Sequence, residues 1–158
     1  MNALAARVIG IGRDVAGDDG VGPAVLRALG TLEVPPGVEL HVASDPTGII
    51  PLLETRGLVI LVDAILGAEP GCVLDLDPEE LEQQGVAPVS THGVGVMQAL
   101  ALARALSPGT LSPAIRIVGI GIAPPQADFR LTLSPPVAAA VPLAAQAVLQ
   151  LLKGRSHA

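Results

Sequence analysis

Aromatic residues are almost absent from the sequence, which contains no tryptophan, no tyrosine and a single phenylalanine, Phe129. Apolar residues nevertheless make up 50% of the chain, so nearly all of them are aliphatic. A core built from Val, Ile, Leu and Ala is typical of parallel strands that are covered on both faces. The 158 residues are enough to bury such a core, and we expect one domain over residues 1–153 with a frayed tail over residues 154–158.

Cysteine and basic residues are also scarce. Cys72 is the only cysteine, so the chain cannot form an internal disulfide, which fits a reducing cytosol. The 9 basic residues are outnumbered by 15 acidic ones, and this balance opposes the counterion release that drives binding to a phosphate backbone. We therefore expect no nucleic-acid partner.

Neither a signal peptide nor a membrane span is expected from the sequence. Met1 to Arg7 include one basic side chain and no apolar core. The most apolar long stretch, Pro135 to Leu152, is interrupted by Pro142 and by two glutamines, and it is shorter than the roughly 20 residues that a spanning helix needs. These features predict a soluble, cytoplasmic protein without a membrane partner.

Five apolar runs alternate with helical patterns, and each run is bounded by Gly, Pro or Asp, as in a layered α/β fold. The fourth run alternates apolar and polar residues, which predicts an edge strand that runs antiparallel to the others. We predict a three-layer α/β sandwich, with a mostly parallel twisted sheet of about five strands and helices on both faces. The predicted strands are Val8 to Ile11, Val38 to Ala43, Leu58 to Val62, Cys72 to Leu76 and Ile115 to Ile120.

Helical periodicity between these strands predicts helices at Val21 to Leu29, Gly48 to Thr55 and Val94 to Leu106. In the last segment Pro142 should interrupt a continuous helix, because proline lacks the backbone N–H and its ring clashes with the preceding turn. We therefore predict two pieces there, a short turn from Pro135 to Ala140 and a helix that begins near Pro142.

The candidate functional residues stand beside strand ends, because ligands of open α/β sheets bind beyond the carboxyl ends of the strands. Asp18 and Asp19 follow the first strand, Asp63 follows the third, and His92 precedes the third helix. Two carboxylates and one imidazole from three separate connections form a mixed oxygen and nitrogen set that suits nickel or zinc. The pattern indicates a divalent metal site at this edge of the sheet.

Each of these residues also has a simpler explanation when it is taken alone. Asp18 or Asp19 is well placed to cap the helix that follows. Asp63 is compatible with a solvated turn, and His92 is compatible with the first turn of a capped helix. Only the convergence of the three segments favours a metal site.

Three segments carry a resemblance to a known family. A strand runs into Gly10-Ile-Gly12 and Asp18-Asp-Gly-Val-Gly22; Leu61-Val-Asp-Ala64 follows, and then Ser90-Thr-His-Gly93 before a helix. In this order they resemble the hydrogenase maturation protease family over most of the chain. The resemblance implies a cytoplasmic, aspartyl-type endopeptidase. Such an enzyme removes a C-terminal extension from the large-subunit precursor of a nickel-iron hydrogenase after nickel insertion, and thereby activates the hydrogenase.

The resemblance also implies roles for individual residues. Asp19, Asp63 and His92 would contact the metal and form the catalytic site, and Asp18 would cap the first helix. One imidazole and two carboxylates make a weak resident metal site, so we expect nickel to be carried by the precursor and the purified protein to be nearly metal-free. The expected partner is the hydrogenase large-subunit precursor, and we expect the protein itself to be a monomer.

The loop after the second strand departs from the family pattern. One branch of the family carries Asp-Gly-x-Thr there, whereas this chain reads Ser44-Asp-Pro-Thr-Gly48, so the acid is displaced by one residue. By position, Asp45 and Thr47 are candidate substrate-binding residues. An Asx turn in which Asp45 caps the following helix is an equally good interpretation.

Two functions of other classes are compatible with parts of the sequence. Gly10-x-Gly12 after a strand is a feature of nucleotide-binding folds, but Val15 stands where the third glycine belongs, and Asp18 and Asp19 would repel a pyrophosphate. A nickel-binding chaperone without peptidase activity would use the same ligands as the protease. A serine hydrolase is disfavoured, because the chain has no Gly-x-Ser-x-Gly elbow.

Overall fold

The computed structural model describes residues 6–13, 17–88, 95–124 and 132–155. Within these ranges a six-stranded sheet is covered by helices on both faces. Its strands are β1 (Ala6–Ile11), β2 (Val38–Ala43), β3 (Leu58–Leu66), β4 (Val73–Leu76), β5 (Ala87–Pro88) and β6 (Ile115–Gly121). The α-helices are α1 (Val21–Leu29), α2 (Pro78–Gln83), α3 (Val96–Leu106) and α4 (Pro135–Arg155), and 3₁₀ helices span Gly17–Gly20 and Pro46–Leu53.

The strands are arranged in the order β2-β1-β3-β6-β4. Strands β2, β1, β3 and β6 are parallel to one another, and β4 pairs antiparallel with β6 at the edge of the sheet. The short strand β5 pairs antiparallel with the end of β3. The predicted α/β fold with a mostly parallel sheet and an antiparallel edge strand is confirmed.

Two apolar cores lie on opposite faces of the sheet. Helices α1 and α4 pack on one face, and α3, α2 and the 3₁₀ helix at Pro46–Leu53 pack on the other. Strand β3 contributes to both cores, because Ile60 and Val62 point to the first and Val59 and Leu61 to the second. The near-continuous apolar run of this strand is therefore explained by burial on both faces.

Most predicted bounds agree with the structure to within two residues, and those of β2 and α1 agree fully. The main exception is β3, which continues to Leu66 instead of ending at Val62. The prediction included only the wholly apolar run Leu58 to Val62, which is interrupted by the carboxylate of Asp63. Asp63 is instead an interior residue of β3, and the apolar run resumes after it.

Three short elements were not predicted from the sequence: the 3₁₀ helix Gly17–Gly20, α2 and β5. Helix α2 begins with a capping box in which the Asp77 carboxylate accepts from the Glu80 N–H, and the Glu80 side chain accepts from the Asp77 N–H. Its six residues are too few to show helical periodicity, although the Asp77-Pro78 start was a usable signal. Strand β5 has only two residues, so it leaves no period in the sequence.

The prediction of two pieces for the C-terminal segment is wrong. Helix α4 runs without interruption from Pro135 to Arg155, with Pro142 inside it. Buried residues on both sides of this proline pack into the core against α1 and the sheet, which offsets the loss of one backbone hydrogen bond. The helix also includes Gly154 and Arg155, and residues 156–158 lie outside the described ranges, so the frayed tail over residues 154–158 stays a prediction.

Helix α4 is long and apolar enough to cross a membrane when only its length and composition are considered. Its 21 residues exceed the length that the interrupted prediction allowed. However, the helix buries Val137, Ala144 and Val148 in the core that it shares with α1. Its apolar composition is therefore explained by its place in the core of an α/β fold.

The second predicted helix, Gly48 to Thr55, lies two residues too late and has a different type. The structure has a 3₁₀ helix from Pro46 to Leu53, which begins after Asp45 and contains Pro51. Pro46 supplies a φ angle suited to the first helical turn, and Pro51 has no N–H for an α-helical hydrogen bond. A tighter, shorter helix is the result.

Three glycines allow the start of α1 to approach the ends of β1 and β3. A Cβ atom on Gly22 would overlap the carbonyl oxygen of Ile11 and would lie 2.7 Å from that of Val62. A Cβ atom on Gly10 would lie 2.7 Å from the Gly22 carbonyl oxygen. Gly12 adopts a φ of 136°, which side chains disfavour, and it contacts the carbonyl oxygen of Asp19.

We expect Gly22→Ala to lower the free energy of unfolding by about 1–3 kcal/mol, because its methyl group would meet backbone atoms that cannot rotate away. Urea denaturation followed by circular dichroism would measure this change. Gly109→Ala is the control, since a Cβ atom there meets nothing within 4 Å. Equal stability of the two variants would show that the close approach of α1 to the sheet is not constrained.

Candidate active site

The candidate site lies where the strand order changes direction. Strand β1 pairs with β2 on one side and with β3 on the other, so the chain reverses its direction across the sheet after β2. Strand β1 ends at Ile11, and β3 continues to Leu66 along β6. Ligands of open α/β sheets bind at such a point, beyond the carboxyl ends of the strands.

Asp63 is the most unusual residue of this region. Its side chain lies in the central strand and the residue is 1% exposed. Its Oδ1 accepts a hydrogen bond from the N–H of Ala64 at 2.9 Å, whereas Oδ2 is buried and has no hydrogen-bond partner among the described residues. An unsatisfied buried acceptor of this kind costs about 1–3 kcal/mol, and more when it is charged.

Burial raises the pKa of Asp63 well above its ordinary value. The hydrogen bond from Ala64 lowers this pKa, and the nearby charge of Asp19 raises it. Asp63 is therefore not the solvated turn residue that its sequence position alone allowed. Because strongly perturbed carboxyl groups are typical of functional sites, the raised pKa supports a role for Asp63 in chemistry.

Asp19 reaches the same region from the loop after β1. It lies in the 3₁₀ helix Gly17–Gly20, and its Oδ2 accepts a hydrogen bond from the N–H of Arg13 at 3.1 Å. The 3₁₀ helix that carries Asp19 lies against β3, and the charge of Asp19 raises the pKa of Asp63. The structure thus brings together two of the three predicted site residues, Asp19 and Asp63.

His92, the third predicted site residue, lies in the stretch 89–94, outside the described residues. Its convergence with the two carboxylates stays a prediction. Among the described residues alone, no group of three potential metal ligands is found. Helix α3, which follows His92 in the chain, is described from Val96 onward and packs on the sheet.

Asp18 does not cap α1, and this prediction is wrong. The N-cap of α1 is Gly20, without a side-chain hydrogen bond. The Asp18 carboxylate instead accepts hydrogen bonds from the N–H and the hydroxyl of Ser134, at 2.7 and 2.8 Å, immediately before α4. No sequence signal could have revealed this contact, because the two residues are 116 positions apart.

Asp45 and Thr47 form a cap at the start of the 3₁₀ helix Pro46–Leu53. The Asp45 Oδ1 accepts from the N–H of Thr47 at 2.8 Å and from its hydroxyl at 2.6 Å. The Asx-turn interpretation of Asp45 is therefore confirmed. Both residues are exposed, and their role in substrate binding stays a prediction.

The residues present fit a cation at this site. The buried Oδ2 of Asp63 accepts no hydrogen bond from the part of the chain that the structure describes, and the charge of Asp19 disfavours ionisation of this carboxyl group. A divalent ion would satisfy the acceptor and remove the repulsion between the two charges. Two oxygen donors with an imidazole suit a borderline ion such as nickel.

A family model described as HycI, hydrogenase maturation protease, matches residues 44–151, which is more than half of the chain. The chain belongs to the hydrogenase maturation protease family. The match includes Asp63 and His92 and begins after Asp19. The resemblance that the three sequence segments carried is thereby confirmed.

Relatives and solved structures agree with this assignment. Protein FrxA of Pyrococcus furiosus is 28% identical over 139 residues, which cover 87% of this chain and 97% of the relative. A nickel-iron hydrogenase maturation protease HycI of Thermococcus kodakarensis KOD1 is 26% identical, with a TM-score of 0.67 over 96% of this chain and 94% of that chain. The maturating endopeptidase HybD from E. coli, at 24% identity, shows the same fold, with a TM-score of 0.76 over 95% and 93% of the two chains.

We expect the free energy of unfolding of the wild-type protein to fall with rising pH because of Asp63, and Asp63→Asn should abolish this contribution. A carboxyl group whose pKa is raised by folding stabilises the protein fully below its unfolded pKa, and this contribution is lost as the pH rises toward the folded pKa. The stability of the wild-type protein relative to Asp63→Asn should therefore fall as the pH rises above about 4. Urea denaturation of both proteins at a series of pH values would measure this difference in the free energy of unfolding.

Asp77→Asn provides a control of opposite sign. The N–H of Glu80 lowers the pKa of Asp77, so this group stabilises the protein above its unfolded pKa and loses that effect as the pH falls. The stability of the wild-type protein relative to Asp77→Asn should fall as the pH drops below about 4, and it should stay constant above that pH, where the other difference falls. Parallel pH dependences for the two variants would contradict the burial of an unpaired carboxyl at position 63.

Proposed function

We propose that the cleft formed by Asp19, Asp63 and His92 is the active site in which this hydrogenase maturation endopeptidase cleaves its substrate. The chain removes the C-terminal extension of the nickel-iron hydrogenase large-subunit precursor after nickel insertion. Family membership supports the reaction class. The observation that carries the location is the buried Oδ2 of Asp63, which accepts no hydrogen bond from any described residue and whose carboxyl group is influenced by the charge of Asp19.

The nickel ion is proposed to arrive with the substrate. Resident catalytic zinc sites usually contain several histidines or thiolates, whereas this site offers two carboxylates and one imidazole. Such a set binds a free ion weakly. It is suited to completing the open positions of a nickel ion that the precursor already holds, so that affinity arises only when both partners contribute ligands.

The chain's own residues have distinct tasks in this proposal. The Ala64 N–H fixes one oxygen of Asp63, and the other oxygen remains available to an incoming cation. The Arg13 N–H orients Asp19, which is only partly buried and so is accessible to a precursor. Bound nickel would supply Lewis-acid polarisation of the scissile carbonyl or a lowered pKa for an attacking water. Because burial raises the pKa of Asp63, its carboxyl group holds a proton more readily than that of an exposed aspartate.

The proposal also includes a partner, a cellular compartment and an oligomeric state for the enzyme. The partner is the hydrogenase large-subunit precursor, and the reaction takes place in the cytoplasm with the enzyme as a monomer. The excess of acidic over basic residues argues against nucleic acid as a partner. The glycines of the Gly10-x-Gly12 segment are used for the close approach of α1 to the sheet, which weakens the case for a nucleotide site.

We expect Asp19→Asn, Asp63→Asn and His92→Ala each to reduce processing by roughly 10²-fold or more, because each removes a ligand or proton carrier from the reacting centre. The assay is incubation with nickel-loaded precursor, scored by mass for loss of a C-terminal peptide. Asp75→Asn is the matched control, since this carboxylate pairs with Arg116 on the β4 edge. Its processing rate should be unchanged.

Two outcomes of this assay would contradict the proposal. Wild-type activity of a folded Asp63→Asn variant would place the reaction elsewhere in the chain. Tight binding of nickel-loaded precursor by the wild-type protein without any cleavage would instead indicate a nickel-binding chaperone.

We expect the purified enzyme to contain almost no metal and to leave nickel-free precursor uncut, because two of its three proposed ligands are hard carboxylates and only one is an imidazole. Metal analysis by mass spectrometry and parallel digestion of nickel-loaded and nickel-free precursor would check both expectations. A tightly held zinc ion together with cleavage of nickel-free precursor would identify an ordinary metalloprotease.

A further inference from the structure

Asp18 uses both oxygens of its carboxylate to hold one distant residue. Its Oδ1 accepts a hydrogen bond from the Ser134 N–H at 2.7 Å, and its Oδ2 accepts one from the Ser134 hydroxyl at 2.8 Å. The contact joins the 3₁₀ helix Gly17–Gly20 to the residue before α4. It therefore links the loop that carries Asp19 to the longest helix in the described part of the chain.

This contact takes the place of a capping box at the start of α4. Ser134 is the N-terminal cap position, because its carbonyl oxygen accepts from the N–H of Ala138. In α2 the N–H of the cap residue is bound by the glutamate three positions later, but the corresponding position in α4 is Val137, which has no acceptor. Asp18 supplies that acceptor, and its negative charge faces the positive end of the helix dipole.

Asp19 is held on the opposite side of the same short turn. Its carboxylate accepts from the Arg13 N–H, and its carbonyl oxygen packs against Gly12. Successive residues of a 3₁₀ helix point in directions about 120° apart, so Asp18 and Asp19 reach different partners from one turn. A turn of four residues has few internal hydrogen bonds, and its position therefore depends on these outside contacts.

We propose that Asp18 and Ser134 are positioning residues of the active site. They fix the 3₁₀ turn against the start of α4, and thereby keep the Asp19 carboxylate next to Asp63. The proposal rests on the proposed function, in which Asp19 and Asp63 act together on the substrate. Asp18 acts through the turn, so its loss should disturb the geometry of Asp19 more than the binding of the precursor.

The test compares three variants with nickel-loaded precursor under multiple substrate concentrations. Asp18→Ala removes both hydrogen bonds, and we expect kcat to fall by roughly 10²-fold with little change in KM, since a small displacement of a catalytic group has an effect of that size. Ser134→Ala removes only the hydroxyl contact and should lower kcat less. Asp18→Asn should restore most of the wild-type kcat, because its amide oxygen accepts from the Ser134 N–H and its amide nitrogen donates to the Ser134 hydroxyl.

Asp77→Ala is the control for loss of stability alone. It destroys the capping box of α2, far along the chain from Asp19, and should leave kcat unchanged while lowering the melting temperature. A second readout is independent of activity: hydrogen exchange of the Arg13 N–H, which the Asp19 carboxylate protects. This exchange should become faster in Asp18→Ala and stay unchanged in Asp77→Ala.

Three results would overturn the positioning role. The first is a wild-type kcat and wild-type Arg13 exchange in folded Asp18→Ala, or in Ser134→Ala if the former does not fold. The second is an equal fall of kcat in Asp18→Ala and Asp77→Ala. The third is a failure of Asp18→Asn to restore kcat, which would assign the effect to charge. If the wild-type protein itself leaves the precursor uncut, the proposed function fails, and the Arg13 exchange still decides whether Asp18 fixes Asp19.

Discussion

Asp63 lies in the central strand with one carboxylate oxygen that no described residue satisfies. Leaving a buried acceptor without a partner costs stability, and the neighbouring charge of Asp19 adds to that cost. The fold can tolerate this because β3 is buried on both faces, between the core under α1 and α4 and the core under α3. The apolar residues packed on both faces of β3 therefore keep Asp63 in the sheet despite the free-energy cost of burying its carboxylate.

The second carboxylate reaches this strand only because the backbone approaches it closely. Gly10, Gly12 and Gly22 leave room for the start of α1 and the turn before it to lie directly on the ends of β1 and β3. Side chains at these positions would push the turn outward and separate the two acids. The glycines that suggest a nucleotide-binding loop in the sequence thus serve to bring like charges together, an arrangement that favours a cation and opposes a phosphate.

Periodicity and turn residues were sufficient to predict the fold class, the full extents of β2 and α1, and the position of Asp18 and Asp19 between β1 and α1. They were insufficient where tertiary packing overrides local preference. Pro142 reads as a helix break, yet the core contacts on either side of it maintain α4. The burial of Asp63 and the contact of Asp18 with Ser134 depend on strand pairing and on residues far apart in the chain, and neither leaves a local pattern.

The unsatisfied state of Asp63 also suggests how the enzyme distinguishes its substrates. In the proposed reaction, a precursor without nickel would offer no cation to the Asp63 oxygen, which no described residue satisfies, and ionisation of Asp63 would stay disfavoured by burial and by the charge of Asp19. In the proposed reaction, a precursor with nickel would relieve both costs when it binds. Sites that require a polar partner discriminate strongly against ligands that lack it, because the unpaired group remains buried. Selectivity for the nickel-loaded precursor would then come from the free-energy cost of burying the Asp63 carboxyl group in the free enzyme. No separate sensor of nickel would be needed.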